Sequence, residues 1–141
     1  MKSVLIVDDE SPARAKAVRF FKKLDAHLEI IQAEHGQAAL EHLEKRSFDL
    51  LLLDIQMPGM DGLSFLARLM KHHPVPVVVL SSLTPRNSEL ALKALDLGAT
   101  DFLAKPLDQS ELGLRVRNTL AAKAYQDQLV YYDGLTKLPN R

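Results

Sequence analysis

The chain has no cysteine among its 141 residues. That excludes a disulfide framework, a thiol nucleophile and a Cys-type zinc site. An excess of one charge is also missing, because 18 Lys and Arg balance 18 Asp and Glu. Without a basic excess, nucleic-acid binding by this segment is not expected. Long hydrophobic runs are absent too. The run Val4 to Val7 near the N-terminus meets two aspartates at once. It is too short for a signal peptide or a membrane span, so a cytoplasmic location without membrane contact is expected. No glycine-rich phosphate loop, dinucleotide fingerprint, internal repeat or low-complexity segment occurs. The histidines at His27, His35, His42, His72 and His73 share no metal-ligand spacing with one another. What is present is an ordinary globular balance, 47% hydrophobic and 26% charged, in a chain long enough for one domain with a real core.

The stretch from Phe48 to Gly62 organises the rest. Leu50 to Leu53 is a continuous apolar run that ends abruptly in Asp54, and the turn residues Pro58, Gly59, Asp61 and Gly62 follow. Such a run fits a strand buried on both faces, as in a parallel sheet. Four more strands are expected, at Val4 to Val7, Leu28 to Ala33, Val75 to Leu80 and Asp101 to Ala104, with Asp49 to Leu53 as the third. Pro76 is placed near the start of its strand, where a missing donor is tolerable.

Helices are expected between the strands. Ser11 caps the first, with Pro12 in its first turn, and Ala17, Val18, Phe21 and Leu24 form its apolar stripe. Gln37 to Lys45 is the second, and Leu63 to about His72 the third. Asn87 or Ser88 caps the fourth, which stops at Gly98. Ser110 caps the last, which carries Glu111 in its first turn. No proline interrupts that helix through Tyr132, and at 1.5 Å per residue it would reach roughly 33 Å, longer than a compact domain needs. Strand and helix alternate with short connections. The predicted fold is therefore α/β: a doubly wound, five-stranded parallel sheet with helices on both faces and an extended C-terminal helix.

In a parallel sheet the strand ends share one edge, so Asp8, Asp9, Asp54, Ser81 and Lys105 converge there. Gathered carboxylates repel, and a hard cation such as Mg²⁺ offsets that charge. Asp54 is a plausible nucleophile toward phosphorus, since a carboxylate is ionised at neutral pH and needs no base. Lys105 offers a point charge to a phosphoryl oxygen, and the Ser81 hydroxyl can donate to one. Taken singly, an Asp-Asp pair or a Lys-Pro step is more often a turn. It is their joint placement at separate strand ends that favours chemistry.

Four segments carry a resemblance: Val4 to Glu10, Leu53 to Gly62, Leu80 to Ser82, and Gly98 to Pro106. Together they resemble the signatures of response-regulator receiver domains, over about residues 1–122. The resemblance implies strand order 2-1-3-4-5 in a flavodoxin-like sheet. It implies that Asp54 is phosphorylated by a histidine kinase or phosphotransfer protein. Asp8, Asp9, Asp54 and the backbone carbonyl of Gln56 would hold Mg²⁺. Lys105 and Ser81 would contact the phosphoryl group, with Ser81 and Phe102 as switch residues, and the Lys105-Pro106 bond would be cis. Phe102 stands where many members have tyrosine, so it can swing but cannot bond through a hydroxyl. Pro76 to Phe102 is particularly similar to the receivers of chemotaxis methylesterases.

Two expectations concern output. On the fourth helix Ala91, Ala94 and Leu95 can face the sheet, with Leu90, Leu92 and Leu97 flanking them. This gives an apolar arc wider than one contact requires. That helix (residues 88–97), the strand 101–104 and the last helix are read as a switchable partner surface, with pairing of two copies there or along the C-terminal helix. Beyond a helical linker at residues 123–132, residues 133–141 resemble the opening of GGDEF domains, the catalytic modules of diguanylate cyclases. The pattern is met by Asp133, Leu135, Thr136, Leu138, Pro139, Asn140 and Arg141, whereas Lys137 replaces a commoner glycine. The GGDEF motif itself is not in these residues, so the expectation is a receiver joined to the start of a second domain. The alternative is a receiver that acts by protein contacts alone.

Overall fold

The computed structural model describes residues 2–57, 61–82 and 84–121. Its elements run β1 (Ser3–Val7), α1 (Ser11–Leu24), β2 (Glu29–Ala33), α2 (Gly36–Lys45), β3 (Leu50–Asp54), α3 (Gly62–His72), β4 (Val77–Ser82), α4 (Pro85–Asp96) and β5 (Asp101–Lys105). A last helix, α5, covers residues 109–121. The five strands form one parallel sheet of order β2-β1-β3-β4-β5, the expected topology.

Alternation along buried strands divides the core in two. Leu5, Val7, Leu51, Leu53, Val77 and Val79 pack with Leu40, Leu66 and Leu69 on one face. Val4, Ile6, Leu50, Leu52, Val78 and Leu80 pack with Phe21, Leu112 and Val116 on the other. Successive residues point to opposite faces and both are covered, which is why these strands read as unbroken apolar runs.

Several boundaries differ from expectation, and caps account for most. Glu10, not Ser11, is the residue at the N-cap of α1, and its side chain makes no capping bond. His35 caps α2, its Nδ1 accepting from the Ala38 N–H at 3.0 Å. α4 begins at Pro85, so Asn87 and Ser88 lie inside its first turn, and proline suits that start. Asp108, not Ser110, caps α5 by accepting from the Glu111 N–H at 2.9 Å. β4 starts at Val77, which leaves Pro76 outside the strand. Gly113 lies within α5, where a Cβ would come 3.0 Å from the flexible end of Leu24, at Cδ2. Gly98 ends α4 with φ of 118°, a conformation that suits glycine. The Lys105-Pro106 peptide is cis, as expected.

On α4, Ala91 and Ala94 are buried against the sheet and Leu90 and Leu95 are half-buried. Leu92 and Leu97 are exposed. Among the described residues no helix is long and apolar enough to cross a membrane. The expected linker at 123–132 and the segment 133–141 lie outside the described residues.

Candidate functional site

The parallel register carries sequence-distant residues to one edge. β1 ends at Val7 and delivers Asp8, whose N–H extends the ladder to the Ala33 carbonyl at 3.1 Å. β3 ends in Asp54, paired across the sheet with Leu80, one residue before Ser81. β5 ends in Lys105, opposite Ser82.

Asp54 is almost fully enclosed, 1% exposed, and its two oxygens are held differently. Oδ1 accepts the Gln56 N–H at 3.0 Å, and Oδ2 accepts from Lys105 Nζ at 3.0 Å. Carboxylate oxygens of Asp8, Asp9, Glu10 and Asp54 all lie within 4.8 Å of one another. Asp8 is buried, and that burial pushes its carboxyl above the ordinary range. The Glu10 N–H and Lys105 pull it down, while Asp54 and Asp9 push it up. Burial alone would lower the Lys105 ammonium, but the Asp54 bond, with the charges of Asp8 and Glu10, holds it above its usual value. Lys105 is therefore a cation at any physiological pH.

Among the described residues, the Lys105 ammonium faces a cluster of four carboxylates, two of them buried. This donor set fits a hard divalent cation, and Mg²⁺ suits a few carboxylates completed by water and phosphate oxygens. Glu10 in the cluster was not among the expected ligands. Its position directly after the aspartate pair was the available signal.

Ser81 is buried beside this edge, but its hydroxyl donates to the Ser82 carbonyl at 3.2 Å rather than to Asp54. Phe102 lies two residues into β5, opposite Val79, and is 38% exposed. Gln56 meets Asp54 through its N–H, while its side-chain Oε1 accepts from the Ser82 hydroxyl at 3.2 Å. Thus Asp8, Asp9, Asp54 and Lys105 come together directly, Ser81 stands at the rim, and Phe102 stands apart.

A parallel sheet of this order, with buried carboxylates and a lysine at its carboxyl edge, has the architecture of a receiver-type signalling domain. Residues 4–117 match the family model for the response regulator receiver domain, and the chain belongs to that family. It is 44% identical over 124 residues to protein-glutamate methylesterase/protein-glutamine glutaminase 1 of Syntrophomonas wolfei, an alignment covering 86% of this chain and 35% of that protein. It is also 44% identical over 105 residues to the second such enzyme of Pseudomonas aeruginosa, covering 74% of this chain and 30% of the enzyme. The chain thus spans about a third of the length of these curated relatives. Among solved structures it resembles NtrX from Brucella abortus, with TM-score 0.85 and 31% identity over 94% of this chain and 30% of that one. The isolated NtrX receiver domain gives TM-score 0.76 and 34% identity, covering 84% of this chain and 98% of that one.

Proposed function

We propose that Asp54 is the phosphoacceptor, taking a phosphoryl group from a histidine kinase or phosphotransfer protein. The observation that carries this reading is the buried Asp54 carboxylate with Lys105 Nζ 3.0 Å away, set in a cluster of three further acids. In the transfer a carboxylate oxygen of Asp54 bonds to phosphorus as the donor's phosphorus–nitrogen bond breaks. The Gln56 N–H fixes the carboxylate, and Lys105 follows the charge from Asp54 to a phosphoryl oxygen. Asp8, Asp9, Asp54 and the Gln56 carbonyl would hold Mg²⁺, which supplies charge neutralisation for the phosphoryl group. Ser81 then turns from the Ser82 carbonyl toward the new phosphoryl group. Phe102 moves into the vacated space, and the face around α4 and β5 changes its packing.

The test is phosphoryl incorporation from a phosphorylated kinase or phosphotransfer protein with Mg²⁺. The native chain acquires acid-stable, base-labile label or an equivalent mass shift of one phosphoryl group, and Asp54→Asn acquires none. Label that persists in Asp54→Asn would move the acceptor elsewhere.

For the output we propose a C-terminal diguanylate cyclase, supported by the pattern from Asp133 to Arg141. A methylesterase output is the second reading, favoured by the identity to protein-glutamate methylesterases. Cyclic di-GMP formation from GTP by the full natural protein, raised by beryllofluoride and not raised in Asp54→Asn, supports the first. Methyl ester hydrolysis without cyclic di-GMP supports the second, and neither activity returns the protein to signalling by contacts alone.

A further inference from the structure

The turn that carries Asp8 and Asp9 is held from outside by a residue with no assigned part in phosphoryl transfer. Arg14 ends the first turn of α1, where a cation opposes the helix dipole, and that turn contains no acidic residue to offset it. Side chains on a helix lean toward its N-terminus, so Arg14 reaches back over the turn. Its Nη1 donates to the Asp8 carbonyl at 2.6 Å, and its Nε donates to Gln32 Oε1 at 3.3 Å. Gln32 lies on β2, paired with Ile6.

The Asp8 backbone is thereby gripped on both sides. Its N–H is bound by Ala33 on β2 and its carbonyl by Arg14 on α1. Its carboxylate accepts the Glu10 N–H at 2.9 Å. The carbonyl that Arg14 holds belongs to the planar peptide joining Asp8 to Asp9. Fixing that plane fixes the direction in which exposed Asp9 leaves the backbone. The contact is made to the backbone carbonyl and leaves the Asp8 carboxylate to the Glu10 N–H. A guanidinium suits the task because its planar fork can meet two acceptors at a set angle, and an ammonium cannot.

We propose that Arg14, itself oriented by Gln32, is a positioning residue for divalent-cation capture, locking the Asp8–Asp9 peptide so that both carboxylates serve one ion. The proposal rests on the reading of Asp8, Asp9 and Asp54 as the Mg²⁺ site. Oriented outer partners of metal ligands typically contribute tenfold or more in affinity, and that sets the expected effect.

The experiment is Mg²⁺ titration of the full 141-residue chain, followed by backbone amide NMR shifts at the site, for native protein, Arg14→Ala, Arg14→Lys and Gln32→Leu. Asp9→Asn is the reference for losing a ligand. Arg46→Ala is the reference for losing an arginine contact to β2, since Arg46 pairs with Glu29 at 2.6 Å. Arg14→Ala and Arg14→Lys should each weaken Mg²⁺ by about tenfold, Gln32→Leu by less, and Arg46→Ala not at all. If both Arg14 variants stay within about twofold of native while Asp9→Asn loses binding, the positioning role is overturned and the site stands. If native protein shows no binding, or Asp9→Asn binds as well as native, the site reading falls and the positioning role with it. Should Arg14→Ala prove unfolded by circular dichroism, Arg14→Lys and Gln32→Leu decide the question.

Discussion

Asp8 shows how a single residue divides its role between folding and chemistry. It is buried, and burial together with Asp54 and Asp9 works against its ionised form. A carboxylate kept there costs folding free energy that a neutral isostere would recover. Asparagine retains an oxygen that can accept the Glu10 N–H, now at 2.9 Å, while removing the charge. Asp8→Asn should therefore melt a few degrees above native protein without divalent cations. In saturating Mg²⁺ the order should reverse, because only the native chain gains the full binding energy. Thermal melts with and without Mg²⁺ check both halves, and a variant that melts lower in both conditions would refute the argument. This residue was legible in the sequence because an Asp-Asp pair directly after an apolar strand has a fixed place in a parallel sheet. Arg14 was not: its reach to Asp8 and Gln32 depends on how α1 lies over β2, and no periodicity reports that.

Elements carry the site by where they start and stop. α3 starts hard against the residue that follows Asp54, and Gly62 leaves the room for that approach. A Cβ there would fall on the Ile55 carbonyl oxygen and lie 2.7 Å from Ile55 Cγ1. Because the contact includes backbone of the residue after Asp54, side-chain motion alone cannot relieve it. Gly62→Ala should cost about 1–3 kcal/mol by overpacking, measurable by chemical denaturation, and should also weaken Mg²⁺ binding. An unchanged stability would show that the turn has room. Asp61, one residue earlier, caps α3 through Oδ1, which accepts the Leu63 and Ser64 N–H groups at 3.1 and 3.3 Å. The Ser64 hydroxyl, followed by those N–H groups, holds its carboxyl below the ordinary range. A depressed folded value means stability that is full above the unfolded carboxylate range and lost as pH falls through the folded value. Asp61→Ala should thus melt below native at neutral pH, and the gap should close on acidification. A gap constant with pH would mean that the ionised cap is not responsible.

These caps also explain the limits of the sequence reading at this scale. Strand and helix identity followed from burial on both faces of the sheet, as in Leu50 to Leu53. Starts were harder, since Ser11, Asn87, Ser88 and Ser110 all have capping chemistry. The residue used is the one the preceding strand end leaves beside open N–H groups, as with His35 and Asp108. That choice depends on loop geometry rather than residue type.

At the scale of the whole molecule, the site edge and the proposed output face meet along β4 and β5. Ser81 pairs with Ala104, and Phe102 pairs with Val79, so motion at either strand reaches the other. The helices beside these strands carry exposed leucines: Leu92 is 62% exposed on α4 and Leu114 is 47% exposed on α5. Phosphoryl transfer to Asp54 would draw Ser81 away from the Ser82 carbonyl, and Phe102 would lose its solvent exposure as it packs inward. If this face pairs two copies, beryllofluoride with Mg²⁺ should raise the weight-average mass in sedimentation equilibrium, and Leu92→Glu should reverse that rise. Ser81→Ala should still accept phosphoryl label on Asp54 yet show a smaller shift toward dimer, because the group linking phosphate to β5 is missing. Equal dimerisation by native and Ser81→Ala would place the coupling elsewhere. A monomer in every state would instead leave this apolar face to a different protein partner, with the phosphoacceptor chemistry at Asp54 unaffected.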